Sequence, residues 1–221
     1  MRIIHCSDTH GRLPVLPKDG EFVIHSGDYL PNASRGNLTI ELPFQERWIR
    51  ANAENLKEWL GGRSFLFSSG NHDFIDPCPI MVECGIDAIN LNDKVTLYKG
   101  LNFYGFPYVP FIAGEWAGEK HLPEMHDEMN RMLRRIKDSE AKIDILVSHA
   151  PPFGVLDVYM NEHLGNTLMT NMMAYQEMDP LPRYYLCGHI HESHGSAELF
   201  GVTISNAATR VHSIDIQTGT G

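Results

Sequence analysis

The stretch Ser68–Asp76, SSGNHDFID, follows the apolar run Ser64–Phe67 with a glycine turn and then sets an amide, an imidazole and a carboxylate side by side. Turns favour Asn and Asp for backbone reasons alone, so the tripeptide means little until the chain around it is read. Working outward, the same arrangement repeats. Arg2–His5 runs into SDTHG, Phe22–His25 into SGDY, Ile143–Val147 into SHAPP, and Tyr184–Leu186 into CGHIHESHG. Each run is short, apolar without alternation and bounded by turn residues, which predicts strands covered on both faces in a layered α/β fold. In open α/β sheets ligands bind beyond the carboxyl ends of the strands, so these ends are expected to converge on one site.

The remaining chain supplies the helices that such strands require. Phe44, Trp48, Ile49, Ala53, Leu56 and Leu60 recur at helical spacing and end at Gly61-Gly62, which predicts one helix with a glycine stop. Leu122–Lys137 predicts a second, whose Met125, Met129, Met132, Leu133 and Ile136 form a core-facing stripe. Shorter strands are expected near Asp87–Asn90, Val95–Tyr98 and Asn102–Tyr104, and hairpins around Gly201 between Ala197 and Ile216. Two segments read as long irregular loops, Tyr29–Pro43 and Gly105–His121, and ordered loops of that length tend to carry function.

Composition narrows the class. A chain of 221 residues with 43% apolar and 21% charged residues is expected to fold as one domain, 1–221. It lacks the run of about 18 apolar residues that a membrane span needs. The opening MRIIHCSDTHG enters a strand directly, with no secretory pattern, and a cytoplasmic location is expected. Cys6, Cys78, Cys84 and Cys187 have no zinc-knuckle spacing and are expected to be buried, reduced thiols. With 18 Lys and Arg against 28 Asp and Glu the net charge is -10, which opposes nucleic acid and anionic lipid as partners. Nothing in the composition speaks to oligomeric state.

The donors at the strand ends suggest a metal centre. Asp8 and His10 are two residues apart, as are His189 and His191, so each pair can project from one turn toward a common point. Imidazole with carboxylate suits Mn, Fe, Co, Ni or Zn, whereas calcium or magnesium would ask for more oxygen ligands. Three or four imidazoles, two carboxylates and one amide oxygen exceed the needs of one tetrahedral ion and match two.

The chain resembles the calcineurin-like metallophosphoesterases. Their ordered elements, D-x-H, GD, GNH, a lone His after a strand and GH-x-H, are matched by Asp8-Thr9-His10, Gly27-Asp28, Gly70-Asn71-His72, His149 and Gly188-His189-Ile190-His191. The resemblance implies a four-layer αββα sandwich, an α/β fold of two mixed β-sheets flanked by helices. It also implies two divalent transition-metal ions, Mn²⁺ foremost with Fe, Ni, Co or Zn as alternatives. Asp8, His10 and His191 would hold the first and Asn71, His149 and His189 the second, with Asp28 between them. Such ions clamp the attacking and leaving oxygens of an in-line displacement and generate hydroxide from water near neutral pH. Asn71 adds no charge, which keeps the site attractive to a phosphate ester, and Asn71 and His72 are the residues expected to meet that substrate. His72 has no metal duty in this scheme and protonates the departing oxygen. Asp73 either orients His72 or serves the turn as a backbone-binding carboxylate.

Other histidines are assigned by position. His5 and His25 fall within strands and are expected in the core, and His121, His126, His163 and His212 on the surface or in loops, with His194 left open. Protein serine/threonine phosphatases of the superfamily carry GD-x-VDRG and GNHE, and GDYLPNASRG and GNHD lack the matching arginine and aspartate. The chain is more similar to the metallophosphoesterase-domain, brain-protein subgroup, through IIHCSDTHG, FVIHSGDY, LKEWLGG, LNFYGFPYVPF, IDILVSHAPPFGVLD and LCGHIHESHG. That resemblance implies a small phosphodiesterase, with cyclic nucleotides among its substrates. The alternatives are a phosphomonoesterase, a nuclease of the same superfamily or a non-catalytic scaffold. A nuclease would need a basic track, and RRIK at Arg134–Lys137 is short and lies in an acidic helix. A scaffold would be expected to have lost ligands. Tyr108, Phe111 and Trp116 either stack on a base or anchor their own loop, and Leu156, Tyr159 and Met160 are candidates for the opposite wall.

Overall fold

The structure is a computed structural model that describes residues 1–216. The single-domain expectation also included 217–221, which lie outside the described residues. The chain begins with β1 (Arg2–Cys6), β2 (Val23–His25), α1 (Leu38–Ala51), α2 (Ala53–Leu60), β3 (Phe65–Phe67), α3 (Cys78–Glu83) and β4 (Ala88–Asn90). It continues through β5 (Val95–Tyr98), β6 (Leu101–Phe106), β7 (Val109–Pro110), β8 (Glu119–Lys120), α4 (Leu122–Ser139) and β9 (Ile145–Ser148). The last part holds β10 (Val158–Tyr159), β11 (Glu162–His163), α5 (Thr167–Ala174), β12 (Tyr184–Cys187), β13 (Gly195–Leu199), β14 (Val202–Asn206) and β15 (Val211–Asp215).

Two mixed sheets form the centre. One has the order β15-β1-β2-β3-β4 and the other β13-β14-β12-β9-β6-β5. The inner strands of each pair in parallel, and β15, β13 and β5 join antiparallel at the edges.

The side-chain period of two assigns each face to a different core. Ile3, Ile24, Leu66, Phe103, Ile145, Val147 and Leu186 meet in one cluster between the sheets. Their neighbours Ile4, Val23, Phe65 and Phe67 turn the other way, onto Ile49 and Leu56 of the α1–α2 layer and Met81 of α3. Tyr104, Leu146, Tyr185 and Cys187 turn onto Met125, Met129, Met132 and Ile136 of α4 and Met169 and Met172 of α5. Three apolar interfaces between four layers make the αββα sandwich, and continuous apolar runs follow because both faces of each inner strand are covered. The methionine stripe of α4 is core.

The helix at Phe44–Leu60 is two helices, and it starts earlier than its apolar spacing indicated. Asn37 caps α1 by accepting from Thr39 N at 3.1 Å, so the first turns of the helix lie within the segment Tyr29–Pro43 that read as a loop. At Asn52 the side-chain amide donates to Trp48 O at 2.9 Å and the helix breaks, to start again at Ala53. The C-terminal stop at Gly61 is as expected, with φ 58°. In the tail, β13 and β14 form the hairpin around Gly201, whereas β15 crosses to the other sheet and pairs with β1. Among the described residues no helix is long and apolar enough to cross a membrane. Cys6, Cys78 and Cys187 are buried and Cys84 is half-buried, and all four are free thiols.

Candidate metal centre

The centre assembles at the carboxyl ends of adjacent parallel strands. Asp8 follows β1, Asp28 follows β2, Asn71-His72-Asp73 follow β3, His149 follows β9, and His189 and His191 follow β12. The chain must reverse sharply there for the side chains to face inward. Asp8, His10, Asp28 and His189 accordingly occupy left-handed backbone, with φ of 56°, 46°, 56° and 71°. Short polar side chains tolerate that conformation and β-branched ones do not. Cross-strand bonds hold the turns together: Asp8 N donates to Gly27 O at 3.0 Å and His10 N to Asp28 O at 2.9 Å.

The glycines of the motifs are required by close approach. At Gly27, φ is 107° and an added Cβ would lie 2.6 Å from both Gly70 N and His149 Nδ1. At Gly188 it would lie 2.2 Å from Asp8 Oδ2. A methyl group at either position would push two ligand-bearing turns apart.

Three triads emerge, each with donor atoms within 4.8 Å of one another: Asp8, His10 and His191; Asp8, Asp28 and His149; and His10, Asp28 and His72. Asp28 Oδ2 is central, at 3.2 Å from His149 Nε2, 3.8 Å from His10 Nε2 and 4.0 Å from His72 Nε2. His191 Nε2 is 3.2 Å from Asp8 Oδ1, and the His191 ring is the outermost, 45% exposed. Asn71 is buried beside this group with an Oδ1 atom that has no hydrogen-bond partner. His189 is not part of a triad. Its ring lies 5.0 Å from that of His149 and its backbone N–H donates to Asp8 Oδ2 at 2.9 Å.

Two buried atoms test whether cations fit. Asn71 Oδ1 has no hydrogen-bond partner, a costly state for a polar atom unless something else satisfies it, and His149 Nε2 faces the Asp28 carboxylate at 3.2 Å. His149 Nδ1 gives its proton to the Ser26 carbonyl at 2.9 Å, which makes Nε2 the nitrogen that faces the site. Carboxylate, imidazole and amide oxygen are the donors a borderline divalent ion takes. The electrostatics agree. Burial opposes charge on His149, yet Asp28 and Asp8 override it and push the imidazole up to about 10. Burial also opposes ionisation of Asp28, but His149 wins and holds that carboxyl well below the usual range. Two buried carboxylates thus draw positive charge into the pocket.

His72 is clasped by Asn32, a residue the sequence reading did not single out. Asn32 Oδ1 lies 2.7 Å from His72 Nδ1 while Asn32 Nδ2 donates to His72 O at 3.0 Å, which settles the amide orientation and turns Nε2 toward Asp28. Trp116 packs on the other side, with ring centroids 4.0 Å apart. Gln45, reaching in from α1, donates to His72 O at 2.7 Å and accepts from Phe74 N at 2.8 Å.

Asp73 does not orient the imidazole. Its Oδ2 accepts from Asp28 N at 2.7 Å and Gly70 N at 2.9 Å, and its Oδ1 from Leu30 N at 2.9 Å. This carboxylate binds backbone and splices the GD and GNH turns. Burial and the nearby Asp28 push it up to about 7 against those donors.

His5 and His25 are in the core, as expected. His5 bridges Ser205 Oγ at 3.0 Å and Ser26 Oγ at 2.9 Å, and His25 pairs with Thr9 Oγ1 at 3.0 Å. His212, expected on the surface or in a loop, is half-buried in β15 and continues the chain through Ser205 Oγ at 2.9 Å. His121 caps α4 and stacks on Phe111, His163 sits in β11, and His126 and His194 are exposed. Tyr108 anchors its own loop through Asp93 at 2.7 Å. Leu156 packs into the core under α4 and α5.

The model of the family described as calcineurin-like phosphoesterase matches residues 1–193. The chain belongs to that family. As a calcineurin-like phosphoesterase it is a metal-dependent phosphoric ester hydrolase. A UPF0046 protein of Caenorhabditis elegans is 26% identical over 99% of this chain and 73% of its own length. The human metallophosphoesterase domain-containing protein 1 is 23% identical over 88% of the chain and 61% of its own length. Among solved structures, a putative 5'-nucleotidase from Staphylococcus aureus superposes with a TM-score of 0.52 at 13% identity. That match covers 96% of this phosphoesterase but only 50% of the other chain, and it shows a shared fold.

Proposed function

We propose that this phosphoesterase hydrolyses small phosphodiesters, cyclic nucleotides among them, with two divalent transition-metal ions of which Mn²⁺ is the first candidate. Asp8, His10, Asp28 and His191 would hold one ion and Asp28, Asn71, His149 and His189 the other. Bound there, the ions supply Lewis-acid charge at the phosphoryl oxygens and acidify water. The observation that carries the reading is the buried, unpartnered Asn71 Oδ1 together with the buried His149 Nε2 that faces Asp28 Oδ2 at 3.2 Å, set beside two buried carboxylates.

The chain's own residues divide the remaining work. His72, with its Nδ1 proton committed to Asn32 Oδ1, presents Nε2 to the site, and in its imidazolium form, which burial makes harder to hold, it gives the Nε2 proton to the departing oxygen. Asp73 keeps the Asp28 and Asn71 turns in register through its three backbone bonds. Arg35, the arginine nearest Asp28 in sequence, is 76% exposed and paired with Glu115 at 2.9 Å. With that guanidinium engaged elsewhere, the loop offers nothing extra to a doubly charged monoester, and a singly charged diester is the better match. The four free cysteines support the reducing cytoplasm as the compartment.

The test is release of p-nitrophenolate from bis(p-nitrophenyl) phosphate by Mn²⁺-loaded protein. Asp28→Ala and His149→Ala should abolish it, and undiminished activity in either variant would sink the reading. Faster turnover of p-nitrophenyl phosphate than of the diester would reassign the enzyme to monoesters.

A further inference from the structure

Beside the metal centre lies a groove of about 460 Å³ whose wall includes His189 at one end and otherwise comes from two separate segments. Phe111 and Ile112 come from the stretch between β7 and β8, and Phe153 and Leu164 from the stretch between β9 and α5. The lining carries no carboxylate, ammonium or guanidinium group. Its apolar side chains are exposed, Phe153 at 40% and Leu164 at 41%, where a folded protein normally buries such surface or uses it for binding.

Both phenyl rings are seated in advance. Phe111 stacks on His121 with centroids 3.9 Å apart, so one face of its ring is held, and the side chain is 46% exposed. Phe153 lies 5.4 Å from the His163 ring, and His163 is pinned by Asp157 at 2.6 Å. Asp157 is buried and also accepts from Gly154 N at 2.9 Å and Gly165 N at 3.0 Å, which fixes the whole wall. Rings held in place before binding lose little entropy when a ligand arrives.

We propose that this groove takes a planar aromatic substituent of the ester, so that the substrate's phosphoryl group sits at the metal centre while its ring lies against Phe111, Phe153 and Leu164. The proposal rests on the phosphodiester reading for the position of the phosphoryl group. Continuity through His189 argues for the same molecule filling both places, because the groove opens onto a side chain expected to hold an ion. Its volume is within the roughly 300 to 1,000 Å³ usual for small-molecule sites and suits one ring system. A lining without lysine or arginine disfavours a second phosphate or an acidic peptide there.

The experiment compares non-hydrolysable phosphonates by titration calorimetry on the Mn²⁺-loaded protein. Phenylphosphonate should bind about tenfold or more tighter than methylphosphonate, as burial of a ring implies. Phe153→Ala and Leu164→Ala should each cut that ratio severalfold while leaving methylphosphonate affinity unchanged. Both side chains are substantially exposed, so folding is not at stake, and an unaltered melting temperature checks this. Thymidine 5'-methylphosphonate against phenylphosphonate then separates a nucleobase from a simple aryl group. Equal affinity for phenyl and methyl compounds, or a preference that survives both substitutions, overturns the proposal even if diester hydrolysis is found. A preference lost with Phe153 and Leu164 supports it even if diester hydrolysis is absent, because the readout is binding.

Discussion

His149 Nδ1 lies 2.9 Å from the Ser26 carbonyl oxygen, so the tautomer of a buried candidate ligand is set by the backbone just ahead of Gly27-Asp28. The same turn therefore carries the carboxylate proposed to bridge the ions and fixes which nitrogen of the neighbouring imidazole faces inward. On that proposal the second ion's sphere would depend on a few atoms.

Asn71→Ala and His149→Ala should each lower bound metal from about two ions per chain toward one, read by elemental analysis after gel filtration. Removing either donor leaves the Asp8, His10 and His191 triad intact. Full metal content in both variants would show that Asn71 Oδ1 and His149 Nε2 are not ligands.

Asn32→Ala should lower kcat by about 10- to 100-fold with little change in KM or metal content, since Asn32 hydrogen-bonds to His72 and to none of the seven proposed metal ligands. His72→Ala should lose about 10² to 10⁴, most steeply for poor leaving groups. A flat dependence on leaving-group pKa in the Asn32 variant, with wild-type rates, would remove Asn32 from this role.

Metal-free protein should be most stable near pH 6.5. The folded His149 is raised to about 10, so its stabilisation is complete below the unfolded value near 6.5 and is lost as pH climbs toward 10. His25 behaves in the opposite sense. Burial lowers it to about 3, so the unfolded chain takes the proton first and stability falls as pH drops from 6.5 toward 3. Burial lowers His5 in the same direction. Thermal melts across that range in chelator should trace the peak, and metal should flatten its alkaline side because the ion replaces the proton at His149 Nε2. An alkaline rise in stability without metal would contradict the assignment.

Gly188→Ala should abolish metal binding, because the new methyl meets Asp8 Oδ2 at 2.2 Å and the buried Ser7 Oγ at 2.0 Å, and so displaces the Asp8 carboxylate. Circular dichroism together with metal content separates this outcome from unfolding.

The strands and the candidate donors were legible because each is announced locally, by an unbroken apolar run followed by Asp, Asn or His. The first half of α1 was not, because its buried face is polar. Glu41 accepts from Ala33 N and Ser34 N, Gln45 grips the His72 turn, and Ile49 is the first apolar residue in that row. Apolar periodicity cannot reveal a helix that serves loops instead of a core. The destination of β15 was hidden because an alternating pattern names a face but not a partner strand. Asn32, Phe153 and Leu164 matter through contacts made after folding, and no spacing in the chain marks them. Asp73 carried two readings, and only its three backbone donors select between them.

One segment links two tasks. Trp116 backs the His72 ring, Phe111 faces the groove, and both belong to the stretch between β7 and β8, whose Ala117 N is tied to Asn71 O at 2.9 Å. A ring entering the groove would therefore lean on the same strip of chain that props the His72 imidazole, the proposed proton donor. Poorly fitting substrates should suffer twice, through weaker grip and through a misaimed imidazole, so selectivity in this enzyme would surface in turnover as much as in affinity.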